Sequence, residues 1–465
     1  MIYGHLFAGT DKTVNAGLIG CGDFGTTIVT QSYTAPRMRL RIIAELKPER
    51  AVHAWTLAGV SQGDIIVCDT PGQARLSYNA GKHVVVRDAS ILTDIAPDVV
   101  VCCTRSPESG ARFAKAAIDA GSHVVMVDKE ADGVVGPTLK HMADSKGLVY
   151  TTDDGDEPGL LMGMVNWARS IGMEVLAGGN VHEAMFDPDS QTLTSRDRTV
   201  RLTDAQMKYM ERVNPGNLRE TIYARREMTQ AFRIDEECGD PYCHMAIAAN
   251  GTGLAPDRAQ PLRPLVYWDE LPGVLAPRDM GGIVDNVRGA VDIPTIIRRK
   301  GDPPYGGSVY TVITCPNKYA MEKMRSKGLI TNHDVTAGLL YRPYHLCGAE
   351  TAMSILCAGL LKLPTGSANI RQNVDIICSA RRHMRKGEIV GPAGDSGWNR
   401  DFCCSLAKGV RLSDGNPIPF YMMEGNRLAA DVPEGAVITA GMLDRRPDSV
   451  LWQLRREQDK PGADD

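Results

Sequence analysis

The stretch that decides the fold is Ala16-Gly17-Leu18-Ile19-Gly20-Cys21-Gly22-Asp23-Phe24-Gly25. A short apolar run enters a G-x-G-x-x-G turn, and Thr26 to Tyr33 continue with a helix-compatible pattern. In a dinucleotide-binding turn the first glycine permits the tight bend. The second lets the backbone approach a pyrophosphate, and the third lets helix and strand pack closely. Gly20, Gly22 and Gly25 hold those places, with Cys21, Asp23 and Phe24 between them. The unsatisfied N–H groups of the following helix then face the phosphates. Glycine-rich turns are common, so the reading rests on the alternation of strands and helices downstream of the motif.

That alternation is a series of β-α units. The second strand, Leu40 to Ala44, delivers Glu45, at the distance from Gly20 where an acidic side chain holds a ribose 2′-hydroxyl. Lys47 and Arg50, in KPERA, are candidates for meeting a 2′-phosphate instead. The expected cofactor is NAD or NADP, with NAD favoured because Leu46, next to Glu45, supplies no cation. Ile65 to Cys68 and His83 to Val86 are short strands. The continuous apolar run Asp98 to Cys103 is a parallel strand buried on both faces. Thr104 and Arg105 leave its carboxyl end, where ligands bind in open α/β sheets. His123 to Val127 delivers Asp128-Lys129-Glu130, and Leu148 to Thr152 delivers Asp153-Asp154-Gly155-Asp156-Glu157-Pro158. The fold class is α/β, with an amino-terminal Rossmann domain, a doubly wound parallel sheet, over residues 1–155. A central α+β substrate and dimerisation domain covers 156–370. A weak repeat relates 383–390 to 431–438 and marks an autonomous β-rich unit over 371–445. Residues 446–465 read as a charged, frayed tail.

Composition sets the class. The chain has 465 residues, 43% hydrophobic and 23% charged, which suits a globular protein of several domains. A net charge of −4 with no basic block argues against nucleic acid as a partner. No apolar run approaches the roughly 18 residues that span a bilayer, so no membrane partner is expected. The first residues carry no signal-peptide pattern. The twelve cysteines include no C-x-x-C pair and read as reduced core thiols of a cytoplasmic protein, without a metal site. A small-molecule substrate is the expected partner, and the chain is expected to form a homo-oligomer, a dimer or tetramer.

Hydride transfer needs a held nicotinamide, a group that exchanges a proton with the substrate oxygen, and groups that fix substrate charge. Lys129 is the first candidate for the proton exchange, because desolvation lowers a lysine's pKa. Asp154, Asp156 and Glu130 are candidates for contacting the substrate. Asp240 before Pro241 matches an N-cap followed by the first helical residue, which a purely structural helix start also explains. His244 lies four residues on, near the same helix face, and forms an acid–base pair with Asp240 in this reading. Arg342 is a candidate fork for a phosphate or carboxylate. His345 is a second acid–base candidate.

The chain resembles the reductoisomerase-like oxidoreductases that act on 1-deoxy-D-xylulose 5-phosphate and are built like homoserine dehydrogenases with a carboxyl-terminal SAF domain. The residues that carry the resemblance are GCGDFG at 20–25, KPERA at 47–51, HVVMVDKEAD at 123–132, DGDEPG at 154–159, ANGTGL at 249–254, PYHL at 343–346 and the two carboxyl-terminal repeats. The resemblance implies a Rossmann domain, a homoserine-dehydrogenase-like catalytic domain and a β-clip SAF module. It also implies an NAD(P)-dependent redox step on a small hydroxylated, anionic substrate. Within the resemblance, reductoisomerase and homoserine dehydrogenase are both open, as is a cofactor-binding module without turnover. The chain departs from the family pattern D-G-S/T-K, with Glu four residues after the Lys. Glu237, Cys238, Gly239 and Asp240 occupy the motif, and His244 takes the Glu position. Lys129 stands where homoserine dehydrogenases carry a Lys after the corresponding strand, and supplies the cation absent at 240.

Overall fold

The computed structural model describes residues 3–232, 238–391, 396–444 and 448–460. The β-branched runs of the amino-terminal third form a seven-stranded parallel sheet. Its strands are β1 (Val14–Ile19), β2 (Met38–Ala44), β3 (Ile65–Cys68), β4 (His83–Val86), β5 (Val99–Cys102), β6 (His123–Met126) and β7 (Tyr150–Thr152). They lie in the order β3-β4-β2-β1-β5-β6-β7. All four residues of β5 are buried, as a strand covered on both faces requires. Chain order reverses between β1 and β5, which makes the crevice at their carboxyl ends the topological switch point. The glycine turn leads from β1 into α1 (Asp23–Ser32). Gly20 has φ +91°, and a Cβ there would collide with the carbonyl oxygen of Cys103 on the neighbouring loop.

Three further helices aim at that crevice. They are α2 (Lys129–Ser145), α3 (Glu157–Ser170) and α4 (Asp240–Thr252). Every residue of α4 from Tyr242 to Thr252 is buried. Most of its residues are apolar or small, as befits a helix enclosed on every side. A Cβ at Gly133 of α2 would lie 3.2 Å from Cys243 Sγ, so the small residue sets the close approach of α2 and α4. Two mixed sheets complete the central region. One has six strands around Glu174–Asn180 and Val309–Thr314, and the other five around His182–Asp187 and Thr295–Arg299. Among the described residues, no helix is long and apolar enough to cross a membrane. None of the twelve cysteines is in a disulfide, and eight of them are buried.

The carboxyl-terminal region departs from expectation. An antiparallel hairpin pairs Val374–Ala380 with Phe402–Lys408. The two repeat segments meet through a bridge between Met384 and Val432. This β-rich unit is not autonomous, because its apolar residues share one core with the Rossmann helices. The division into consecutive domains also fails after residue 350. The helix α5 (Thr351–Leu356) returns to the first domain, and Ile355, Leu356 and Ala358 pack into the core formed by β1 and β2.

Within the segment expected to be a frayed tail, residues 450–458 are ordered. They form the helix α6, with Leu451, Trp452, Leu454 and Arg455 buried. Glu108 accepts the backbone N–H groups of Val450 at 2.8 Å and Leu451 at 3.3 Å. Arg455 makes a two-pronged pair with Asp375, both bonds 2.8 Å, and donates to the Val134 carbonyl of α2. Both side chains are essentially inaccessible to solvent.

Removing one partner of a buried ion pair typically costs about 3–5 kcal/mol, because the other charge is left unpaired. Arg455→Ala is therefore expected to lower the unfolding free energy of the intact chain, read from urea denaturation, by an amount of that order, whereas Arg456→Ala, on the exposed face of the same helix, should leave it within about 0.5 kcal/mol of the parent. Equal midpoints for the two variants would show that the buried pair does not secure the tail.

Candidate active site

A cleft of about 690 Å³ opens at the switch point. Cys21, Gly22, Asp23 and Phe24 of the glycine turn line one side, and Cys103, Arg105 and Val127 line the other. A Cβ at Gly22 would meet nothing within 4 Å, so the backbone there borders open space of the kind a pyrophosphate needs. A Cβ at Gly25 would lie 2.7 Å from the Gly20 carbonyl, so this glycine seats α1 against the turn. The three glycines thus divide as the motif requires, two for packing and one for approach. Arg50 also lines the cleft. Lys47 is exposed outside it and does not reach the position expected of it.

Glu45 is buried, and its carboxylate accepts the Cys21 N–H at 2.7 Å and the Lys47 N–H at 3.0 Å. It braces the turn that carries the glycines. Asp128, not anticipated from the sequence, does the same on the other side. It accepts the Thr104 hydroxyl at 2.8 Å and the Arg105 N–H at 2.6 Å. Burial and the nearby Glu130 push its pKa up to about 7. Thr104 is occupied by that bond and does not line the cleft, whereas Arg105 does.

A second chamber, of about 500 Å³, adjoins the first. Phe24, Lys129, Asp156, Asp240 and Cys347 line both. Lys129 opens α2, Asp156 and Glu157 open α3, and Asp240 opens α4, so the wall is built from the first turns of three helices. Lys129 Nζ lies 3.1 Å from His244 Nε2, 3.6 Å from Asp240 Oδ2 and 3.8 Å from Asp156 Oδ2. Burial alone would lower the lysine's pKa, but the carboxylates of Asp156, Asp240, Glu130 and Glu157 outweigh it and hold it above the ordinary range. The expectation of a lysine that exchanges protons near neutrality is therefore overturned: Lys129 is a fixed cation.

An ammonium has only donors, so His244 Nε2 accepts from it and the ring proton sits on Nδ1. Nδ1 faces Glu157 Oε2 at 2.8 Å. The partner of His244 is thus Glu157 rather than Asp240, whose carboxylate goes to Lys129. Burial and Lys129 depress the His244 pKa, but Glu157 prevails and leaves it raised, while His244 helps hold Glu157 down at about 2 despite burial. Asn180 Nδ2 also lies 3.2 Å from His244 Nδ1, and its own Oδ1 has no partner among the described residues. The two ends of an amide are assigned from the bonds they make. Turning this one round gives the Nδ1 proton a second acceptor.

Asp240 does not cap its helix. Gly239, with φ +84°, takes the N-cap position and Asp240 is the first helical residue. Glu237 lies outside the described residues. Asp156 accepts the Glu157 N–H at 2.8 Å, so it caps α3 while facing Lys129. Asp154 turns away from both chambers. Its N–H donates to Ser354 Oγ, and burial together with Glu350 pushes its pKa up to about 6. Glu130 is buried on the side of the first chamber and does not line the second. Arg342 is paired with Glu350 at 2.5 Å and stacked over Tyr344, outside the cleft, so it holds the turn before α5. His345 does line the second chamber, donating from Nδ1 to the Gly307 carbonyl at 3.0 Å.

Sequence reasoning missed Glu157, Asn180, His182 and Arg196. Glu157 had a signal, since it directly follows the singled-out Asp156. Arg196 tips a hairpin between Thr192–Ser195 and Arg198–Arg201, and His182 follows a strand of the central sheet. Nothing local marks either as facing a cleft. Burial and the charges of Arg263 and Arg196 push the His182 pKa down to about 3, which keeps the ring neutral. Asp156, Glu157 and His244 bring three potential metal ligands within 4.8 Å of one another. The Lys129 ammonium already supplies a cation to that group.

Residues 155–351, less than half of the chain, match the family model described as the catalytic domain of the oxidoreductase DRL. No curated protein matches the sequence. The chain spans about half the length of the first solved oxidoreductases it matches. Among them is UDP-N-acetylglucosamine 3-dehydrogenase GnnA from Acidithiobacillus ferrooxidans, at 17% identity over 38% of this chain and 50% of that one, with a TM-score of 0.25. A homoserine dehydrogenase from Thiobacillus denitrificans matches at 13% identity over 85% of this chain and 91% of that one, with a TM-score of 0.39. A hyperthermophilic archaeal homoserine dehydrogenase in complex with NADPH matches at 15% identity over 77% and 100%, with a TM-score of 0.36. At these identities and scores no residue role is carried over from them.

The glycine geometry separates two variants. Gly22→Trp is expected to keep the parent's thermal stability and to abolish dinucleotide binding, read by NADH fluorescence on titration. Gly20→Ala should unfold more easily, since the left-handed conformation alone costs about 1–2 kcal/mol before the collision with Cys103 is counted. Unchanged affinity in folded Gly22→Trp would remove the cofactor assignment from this cleft.

Proposed function

We propose that this chain is a nicotinamide-dinucleotide-dependent oxidoreductase that interconverts an alcohol and a carbonyl on a small hydroxylated substrate. The observation that supports it is the meeting of two chambers at one ammonium, with Lys129 Nζ 3.1 Å from an imidazole nitrogen held by a carboxylate. The family match over 155–351 agrees with it. A nicotinamide in the first chamber would supply the hydride acceptor or donor. The glycine turn, Arg105 and Arg50 would hold the dinucleotide. NAD is the preferred form, because Glu45 follows the second strand at the position of an acidic ribose ligand and Leu46 beside it supplies no cation.

In the oxidative direction His244 Nε2 takes the proton of a substrate hydroxyl that enters beside Lys129. Glu157 has already fixed the ring's tautomer and stands ready to pair the imidazolium that results. The Lys129 ammonium stabilises the charge developing on the substrate oxygen without giving up a proton. Reduction runs the same steps backwards. Asp156, Glu157 and Asp240 leave the chamber acidic except at Lys129 and Arg196. An anionic group on the substrate therefore sits at Arg196, and hydroxyls meet the carboxylates. The paired repeats support an SAF-like reading of the β-rich carboxyl-terminal unit.

The experiment is a spectrophotometric screen of polyols, aldoses, sugar phosphates and hydroxy acids with NAD and NADP side by side. On any substrate that turns over, His244→Ala and Lys129→Ala should each lower kcat by about 10²- to 10⁴-fold, the usual contribution of such groups. Dinucleotide affinity should be nearly kept in His244→Ala, since His244 does not line the first chamber. Full activity in both would move the chemistry elsewhere, with His345 next in line.

The pH dependence carries a definite sign. Oxidation needs neutral His244, whose pKa is raised, so kcat/KM should fall as pH drops through that value. Glu157→Gln removes the charge that raises it and should shift this acid limb to lower pH. Glu157 itself is held at about 2. Its carboxylate therefore contributes stability above the ordinary glutamate value of about 4.3, and that stability is lost as pH falls towards 2. An acid limb that stays in place in Glu157→Gln would show that Glu157 does not set the His244 titration.

A further inference from the structure

A group of sulfur atoms lies beside the start of α4, outside the proton-exchange machinery. The Cys238 thiol contacts the side chain of Cys404. It also lies 3.2 Å from the Phe402 carbonyl. Cys404 is fully buried on the strand Phe402–Lys408, and its sulfur also accepts the backbone N–H of Gly239. Two consecutive residues, Cys238 and Gly239, are thus fastened to one sulfur. Cys378 faces Cys404 across the hairpin, but its own sulfur turns to Met423 Sδ at 3.7 Å. Cys238 is partly exposed whereas Cys404 is enclosed, so reagents reach the pair through Cys238.

The two thiols also differ in reactivity. Hydrogen bonding from Cys404 lowers the Cys238 pKa against the pull of burial, while burial raises that of Cys404. The thiolate is the nucleophile in such chemistry, so Cys238 is the attacking member.

We propose that Cys238 and Cys404 form a thiol pair that hydrogen peroxide converts to a reversible disulfide, withdrawing Asp240 from Lys129. This step rests on the function proposed above only for its effects on NADH binding and turnover. The Cys238 thiolate attacks one peroxide oxygen. An S–O bond forms, the O–O bond breaks, and the leaving hydroxide takes up a proton as water. Cys404 then attacks the sulfenic sulfur. The S–S bond forms, the S–O bond breaks, and the departing hydroxide leaves as a second water with the Cys404 proton. Two thiols have lost two electrons, and one peroxide has gained them. A dithiol reverses the change by exchange.

The consequence comes from chain geometry. A disulfide holds its sulfurs at about 2.05 Å, much closer than a thiol hydrogen bond, so closure draws residue 238 towards the strand. Only Gly239 separates it from Asp240, whose carboxylate stands 3.6 Å from Lys129. Gly239 sits at φ +84°, where glycine alone turns freely, so the displacement passes through a joint able to swing.

The test treats the whole protein with hydrogen peroxide and maps its peptides without reduction. The expected result is a loss of the mass of two hydrogens, a Cys238–Cys404 linkage, weaker NADH binding, since Asp240 and Lys129 line the dinucleotide chamber, and recovery with dithiothreitol. On a substrate found by the screen, turnover should fall by about 10²-fold, the scale of a 1 Å misplacement near reacting groups. Cys238→Ser should bind NADH like the parent and resist peroxide, and Cys403→Ser should remain sensitive. No linkage, or a Cys378–Cys404 linkage, overturns the pair. A Cys238–Cys404 linkage that leaves both NADH affinity and turnover unchanged overturns the coupling to Asp240. Absence of NADH binding before any oxidation would count against the proposed function, while the peptide map still decides the thiol pair.

Discussion

One ammonium balances the centre of this molecule. The first turns of α2, α3 and α4 bring Asp156, Glu157 and Asp240 together, and each carboxylate benefits from the helix amino terminus it occupies. Together they would repel one another. Desolvating an ion costs several kcal/mol, and one opposite charge at about 4 Å returns roughly 4 kcal/mol at an effective dielectric of 20. One carboxylate is therefore barely enough to keep a buried lysine charged, and several are ample. The count of acids around Lys129 decides its protonation, which is why burial does not make it a base. In the proposed reaction the proton-accepting task then falls to His244, the imidazole that the ammonium touches.

That balance explains which parts of the site the sequence reveals. The glycine spacing is legible because each glycine answers a local constraint: a bend, an open approach, a seat for a helix. The strand ends that deliver Lys129 and Asp156 are legible for a similar reason, since buried parallel strands leave continuous apolar runs in the sequence. Pairings are not legible in this way. Asp240 and His244 are four residues apart on one helix, yet their partners come from two other helices, and tertiary charge balance overrides helical spacing. Asp154 and Asp156 look equivalent in the sequence. Across the turn at Gly155, Asp154 is left lining neither chamber while Asp156 faces Lys129. Arg196 reaches the second chamber from a hairpin whose strands carry no local mark of it.

The carboxyl-terminal end shows a different kind of misreading. Its segment Val450 to Gln458 is rich in charge, and charge suggests solvent. The positions that decide its fate are Leu451, Trp452, Leu454 and Arg455, which fall on one face at helical spacing. Arginine hides the pattern because it counts as polar, although here it points inwards to Asp375. A composition-based reading sees a tail where a periodicity-based reading finds an amphipathic helix.

The position of that helix ties the distant end of the chain to the helix that opens with Lys129. Arg455 bonds to Asp375 on the carboxyl-terminal hairpin and to the Val134 carbonyl on α2, five residues from Lys129. Thr138, also on α2, donates its N–H to Gln458 at 3.2 Å. The helix that presents the ammonium is therefore clamped along its length by residues more than three hundred positions away. The same hairpin carries Cys404, beneath the start of α4. The β-rich unit thus backs both helices whose first turns face each other across the cleft, one through Arg455 and one through Cys404. It lies behind the two helix starts that bring Lys129 Nζ within 3.6 Å of Asp240 Oδ2.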